Sequence, residues 1–159
     1  GSLLTVGWTA DPGPGAWLGF EVRRRWFSLG LEARALFPAR TLSFGDYTAD
    51  AATFSGLVVP CAHVKVLSGC AFIEAGSYIF TIPGRPAGVT DTVLSFGPRA
   101  ALDAPIAGGF SVRGFVDLAF HPYSPIFGAR LTTAADSKVV RWTTPLVSAF
   151  FGLGIGWAQ

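Results

Sequence analysis

Few residues in this chain could do chemistry, and their spacing says where each would point. It holds two histidines, His63 and His121, and two cysteines, Cys61 and Cys70. His121 stands in Phe120-His121-Pro122-Tyr123-Ser124, four residues after Asp117. A serine, a histidine and a carboxylate within reach of one another would form a nucleophile with its base and orienting group. On an extended strand, however, His121 shares the face of Asp117 while Ser124, three residues on, falls on the opposite face. A rim histidine bonded to Asp117 or to a loop carbonyl is the simpler expectation. The cysteines flank a predicted turn at 64–67 symmetrically, so pairing 61 with 70 also pairs 63 with 68. Directly opposed strand residues share a face with Cα atoms ~4.5–5.5 Å apart, which suits a disulfide; two inert thiols are the alternative. Two thiols and His63 fall short of the four-ligand set of a structural metal site. No phosphate-cradling loop, zinc spacing or nucleophile elbow is present, so neither metal nor cofactor is expected.

The remaining ionisable residues of the predicted strands come in pairs: Glu21 with Arg23, Glu32 with Arg34, Arg99 with Asp103, and Arg113 with Asp117. Each pair is separated by an even number of residues, which puts both members on one face of a pleated strand, and Glu74 takes the same parity in its own segment. The opposite faces are greasy: Leu18, Phe20, Val22; Leu29, Leu31, Ala33, Ala35; Leu94, Phe96, Ala100, Leu102; Val112, Val116, Leu118, Phe120. Leaving so extensive an apolar face in water is costly, while burying unpaired charge costs several kcal/mol per ion. Both demands are met by a closed barrel whose apolar face meets lipid and whose charges pair in the lumen. A plug of paired charges is expected there, with a narrow ion path as the competing reading.

The elements that would position these residues are eight segments near 3–10, 16–23, 27–37, 54–64, 68–81, 92–104, 110–121 and 142–157. Half the residues are hydrophobic and only 14% are charged, with a mean hydropathy of +0.46. No apolar run approaches the ~18–20 residues of a membrane-spanning helix. The longest, Leu146–Trp157, has Gly152, Gly154 and Gly156 at every second position, a strand pattern. Pro60 and Pro98 fall inside predicted strands, where bulges are expected to absorb them. Short connections at 24–26, 64–67 and 105–109 follow the even segments; longer ones run 38–53, 82–91 and 122–141. Tryptophans cluster toward segment ends, with Trp26 and Trp157 at one boundary and Trp8, Trp17 and Trp142 at the other, as interfacial girdles require. The Arg23-Arg24-Arg25 run reads as a solvated turn touching phospholipid headgroups. A net charge of +2 with scattered cations excludes a nucleic-acid interface.

This pattern resembles the eight-stranded outer-membrane barrels of Gram-negative bacteria, such as the transmembrane domain of outer membrane protein A, over nearly the whole chain. Gly152, Ile155 and Trp157 look like the C-terminal signal read by the barrel assembly machinery, although Phe150 stands where that signal prefers a polar residue and Ala158-Gln159 follow the aromatic. The resemblance implies an all-β fold: one domain over 1–159, an eight-stranded antiparallel up-and-down transmembrane barrel with a polar, side-chain-filled lumen. It implies a monomer in the cell outer membrane whose partners are outer-membrane lipids, the assembly machinery during biogenesis, and a partner protein met by the outer loops. The expected role is a non-enzymatic membrane anchor or surface scaffold. A lipid-modifying enzyme centred on His121, a narrow pore and a soluble small-ligand barrel are the alternatives.

Overall fold

Alternation of one charged or small residue with one large apolar residue is a strand pattern, and strands are what these segments form. The computed structural model describes residues 1–6, 13–37, 42–44, 47–81, 89–122, 126–132, 137–143 and 145–157; residues 3–6, 42–44, 47–51, 80–81, 89, 126–132 and 137–143 are described by their backbone. In chain order the strands are β1 (Ser2–Val6), β2 (Gly13–Arg24), β3 (Phe27–Leu36), β4 (Leu42–Phe44), β5 (Tyr47–Val64), β6 (Leu67–Thr81), β7 (Val89–Pro105), β8 (Phe110–Phe120), β9 (Ile126–Thr132), β10 (Ser137–Thr143) and β11 (Val147–Trp157). No helix is present among the described residues. Seven of these strands, β2, β3, β5, β6, β7, β8 and β11, are ten residues or longer and form a nearly closed antiparallel barrel. β3 pairs with β5, which brings the sheet round on itself.

The short β1 stands between β2 and β11 and pairs with both, from Ser2 to Thr5 against Ala16–Gly13 and from Ser2 to Val6 against Leu153–Ala149. Gly1 extends the contact by exchanging backbone hydrogen bonds with Trp17 at 2.8 and 3.0 Å. Beyond that level the facing edges of β2 (18–24) and β11 (154–157) carry no pairing among the described residues. Gly19, although on the inward parity, is exposed there.

Three features differ from the sequence expectations. The segment expected at 142–157 is two strands with different partners, β10 against β9 and β11 against β8 and β1, and Pro145, which has no N–H to give to a ladder, lies between them. The long connections contain β4 and a β9–β10 hairpin, and β5 starts at Tyr47, within the connection expected at 38–53. No bulge accompanies the prolines: Val58↔Ile73 and Cys61↔Cys70 share one register across Pro60, and Phe96↔Phe120 and Arg99↔Asp117 share one across Pro98. Instead the ladder skips two residues on one side. At Gly97 the β7 and β8 backbones come so close that a Cβ would sit 1.8 Å from the Leu118 carbonyl oxygen. Glycine is required there by contact, not by dihedral angle.

β3 shows the packing logic in ten residues. Ser28, Gly30, Glu32, Arg34 and Leu36 are buried, while Phe27, Leu29, Leu31 and Ala33 are exposed. Leu31 keeps 58% of its surface accessible against 8% for Glu32. The interior is therefore the charged side, filled out by Leu57, Val59, Phe72, Phe115 and Phe150. Gly152 makes room for this filling, since the Phe115 ring lies where its Cβ would be, at 2.2 Å.

Candidate functional site: a charged lumen

Strand parity directs side chains inward, and the ladders decide which of them meet. Arg99 lies directly opposite Asp117 across β7 and β8, and donates from Nε to Oδ1 at 2.6 Å and from Nη2 to Oδ2 at 3.0 Å. The same guanidinium forks onto Glu32, Nη1 to Oε1 at 2.5 Å and Nη2 to Oε2 at 2.9 Å. Arg34 donates from Nη2 to Asp117 Oδ2 and lies 3.6 Å from Glu32. Two carboxylates and two guanidiniums thus form one compact group without net charge, nearly free of solvent. Bidentate pairing of this kind is the geometry in which buried charge is best compensated.

The other nitrogens of Arg34, Nε and Nη1, have no hydrogen-bond acceptor among the described residues. They look onto aromatic faces instead: the guanidinium carbon lies 5.8, 5.4 and 5.2 Å from the ring centres of Phe72, Phe115 and Phe150. A desolvated cation over a ring quadrupole gains about 2 kcal/mol, which offsets part of the missing hydrogen bonds. Arg99 lies 4.1 Å from the Phe115 centre on the same principle.

Nearer the short turns a second group forms. Arg113 donates from Nε and Nη2 to both oxygens of Asp103, at 2.7 and 2.9 Å, and from Nη2 to Glu21. Glu21 also approaches His63 Nε2, at 3.3 Å, and that same nitrogen sits 2.6 Å from Ser28 Oγ. A hydroxyl-activating relay needs the hydroxyl on one ring nitrogen and the carboxylate on the other. Here both share one nitrogen, so the trio is a buried hydrogen-bond cluster, not a nucleophile. Between the two groups lies a cavity with room for about one water, lined by Glu21, Glu32, Arg99, Arg113 and the cysteines. Cys61 and Cys70 are disulfide-bonded across the β5–β6 ladder.

Two residues expected in the network are placed differently. Glu74 is buried, but its partners are hydroxyls: Ser55 Oγ donates to Oε1 at 2.5 Å and Ser95 Oγ to Oε2 at 2.7 Å. Arg23 is exposed and joins no ion pair among the described residues, because it sits at the turn end of β2 beside the unpaired edge. Of the tryptophans, Trp26 and Trp157 are exposed at the short-turn end. Trp17 corrects the sequence expectation: it turns inward, packs edge-on against Phe115 with ring centres 5.3 Å apart, and follows its strand parity in preference to an interfacial position. Trp8 and the side chain of Trp142 lie outside the described residues.

At the far end, His121 Nε2 lies 2.8 Å from Ser148 Oγ, with both residues buried. Ser124 lies outside the described residues, and the carboxylate of Asp117 is engaged by arginines. Burial holds the His121 imidazole down at about 4, so it is neutral at pH 7. Sequence reasoning missed the serines. Ser28 and Ser95 carried a usable signal, each standing four residues before a buried charge on the same face. Ser148 carried none, because β11 holds no ionisable residue to share its face.

The arrangement fills the barrel interior and sets three inward arginines, Arg34, Arg99 and Arg113, against Glu21, Glu32, Asp103 and Asp117, with Glu74 held by hydroxyls alone among the described residues. Comparison with known proteins brings no match: no family model, no curated sequence and no solved structure aligns with the chain.

Proposed function

We propose that the chain is a non-enzymatic integral outer-membrane β-barrel that serves as a membrane anchor or surface scaffold. One observation carries this reading: every long strand presents large apolar residues outward, while the charges along the middle of the barrel face inward. Leu18, Phe20, Leu31, Val58, Ile73, Phe96, Val116, Leu118, Leu153 and Ile155 are all exposed, whereas Glu32, Arg34, Glu74, Arg99 and Asp117 are buried. Monomeric soluble proteins rarely expose contiguous apolar patches beyond a few hundred Å², and this belt spans all seven long strands. A hydrocarbon phase satisfies it.

Counting β1 gives eight strands. A walk through paired neighbours supports that count: Phe27, Ala62, Gly69, Ala100, Val116, Phe151, Leu4 and Pro14 lead on by hydrogen bond to Phe37, ten residues along from the start. Such a stagger belongs to a tilted closed barrel, and at this size side chains fill the interior. The paired charges and phenylalanine rings leave room for about one water between the charge groups, which favours a plug over a pore. Trp26 and Trp157 suit one lipid–water boundary. Lipids and the barrel assembly machinery are its expected partners, and the connections that hold β4 and the β9–β10 hairpin are its recognition surface.

The test is behaviour in detergent. The folded chain should migrate faster than its boiled form on gels and require detergent to stay monodisperse. A folded, monodisperse protein in plain buffer overturns the reading. The His121–Ser148 contact supports a second reading, a lipid-modifying enzyme. An unchanged lipid A and phospholipid acyl profile after His121→Ala and Ser148→Ala removes it.

A further inference from the structure

We infer that the end of the barrel carrying the two-residue turns is built to hold the phosphate groups of anionic phospholipids in the adjoining leaflet; this rests on the membrane reading above and names the lipid that reading leaves open. Arg23, Arg24, Arg25 and Lys65 are all exposed there, and none of them joins an ion pair among the described residues. The acids nearest that rim, Glu21 and Asp103, are drawn into the lumen and held by Arg113. The rim is left cationic.

The four cations share one edge. The His63 N–H donates to the Trp26 carbonyl at 2.8 Å, which docks the β2–β3 turn, with Arg25 at its tip, against the end of β5 two residues before Lys65. The Asp103 N–H donates to the Val66 carbonyl at 2.8 Å and ties the next turn to β7. Arg25 and Lys65 occupy the first position of their turns with φ of 53° and 58°. Glycine or asparagine adopts that conformation more readily, so a long cation at both tips is not what turn geometry alone would select.

Each tip cation is followed by an exposed apolar residue, Trp26 after Arg25 and Val66 after Lys65. Ile106 on the third turn and Trp157 at the end of β11 continue the apolar rim. A partner must therefore offer anionic groups and an apolar phase within one side-chain length of each other. A headgroup layer offers both, since long cations reach phosphate while ring and aliphatic groups stay in the acyl region. Nucleic acid or an acidic protein surface offers the charge without the phase.

The test reconstitutes the folded barrel in phosphatidylcholine vesicles with trace spin-labelled phosphatidylglycerol or spin-labelled phosphatidylcholine. Electron spin resonance then reads the fraction of each label immobilised at the protein. At low salt the wild type should favour phosphatidylglycerol on the order of a few-fold, and molar salt should reduce the preference. The R24Q/R25Q/K65Q variant should show a ratio near one. The R25G/K65G variant relaxes the backbone at both tips, so it should fold at least as well while losing preference. Equal immobilisation of both lipids by the wild type, or a preference that survives in either folded variant, overturns the inference. Failure to insert into phosphatidylcholine at all would instead remove the membrane reading itself.

Discussion

Arg99 and Asp117 face each other across the β7–β8 ladder and share two hydrogen bonds, with Glu32 closing on the same guanidinium from β3. Two consecutive strands and a third that is distant in the chain are thereby joined through one side chain. Register and charge are linked: a one-residue slip of β7 would send Arg99 into the apolar belt and leave both carboxylates without it. The buried pair defends strand order as much as it adds stability.

Removing one partner is therefore expected to cost more than removing both. Arg99→Met strands Glu32 and Asp117 around Arg34 alone and should destabilise the folded state by about 3–5 kcal/mol. Adding Asp117→Leu to Arg99→Met should recover part of that loss. Urea unfolding in detergent, followed by the heat-modifiable gel shift, measures both. A control at exposed Arg24, Arg24→Met, should stay within about 0.5 kcal/mol of the wild type.

A second coupling lies between Gly152 and Phe115. The ring occupies the place of the missing Cβ, so Gly152→Ala should force it aside and destabilise the barrel by roughly 1–3 kcal/mol. Phe115→Leu removes the obstruction but also loses faces for Arg34 and Arg99. In the double variant the alanine should cost less than it does alone, giving a coupling of about 1 kcal/mol or more. Strict additivity would show that the ring and the glycine do not share this space.

His121 lies one residue beyond β8, buried against Ser148. Its folded value, pushed down to about 4, lies below its unfolded value of 6.5. The unfolded chain therefore binds the extra proton first. Stability contributed by the neutral ring is complete above pH 6.5 and declines as pH falls toward 4, by a few kcal/mol at most. Unfolding free energies of wild type and His121→Gln across that window should converge at low pH, because the glutamine variant lacks this step. Parallel curves would place the ring in water instead of behind Ser148.

How far these relationships were legible differs with their range. Parity within a strand is local, so Glu32 and Arg34 could be set on one face from spacing alone. The Cys61–Cys70 bridge was legible for the same reason, as symmetry about a short turn fixes its register. Partner choice across distant strands was not. Nothing in the spacing separates Glu74, which takes two serine hydroxyls, from Glu32, which takes Arg99. Trp17 shows two local rules in conflict: interfacial preference pointed outward, alternation pointed inward, and alternation prevailed because the lumen had space beside Phe115. Pro60 and Pro98 were expected to sit in bulges, yet the ladder skips and resumes on the same frame, and at Gly97 the neighbouring backbones approach closely.

The outward belt gives the sharpest prediction, because water and lipid assign opposite consequences to one substitution. Leu31 and Leu153 are 58% and 59% exposed on strands that sit on opposite sides of the β1–β2 pair in the sheet order. On an aqueous surface, replacing either with arginine would change stability by no more than about 0.5 kcal/mol and would improve solubility. In a bilayer the same arginine meets hydrocarbon and should cost about 2–4 kcal/mol near the midplane, less toward the interfaces. Leu31→Arg and Leu153→Arg, refolded into vesicles and titrated with urea, should both fall in the upper range. Trp26→Arg, at the rim, should be nearly neutral, since the graded cost follows depth. Spin labels at Leu31, Val116 and Leu153 should all sense dissolved oxygen in the bilayer. A flat response across the belt and the rim, with labels reporting tight packing, would mean that these side chains face a protein partner and not acyl chains.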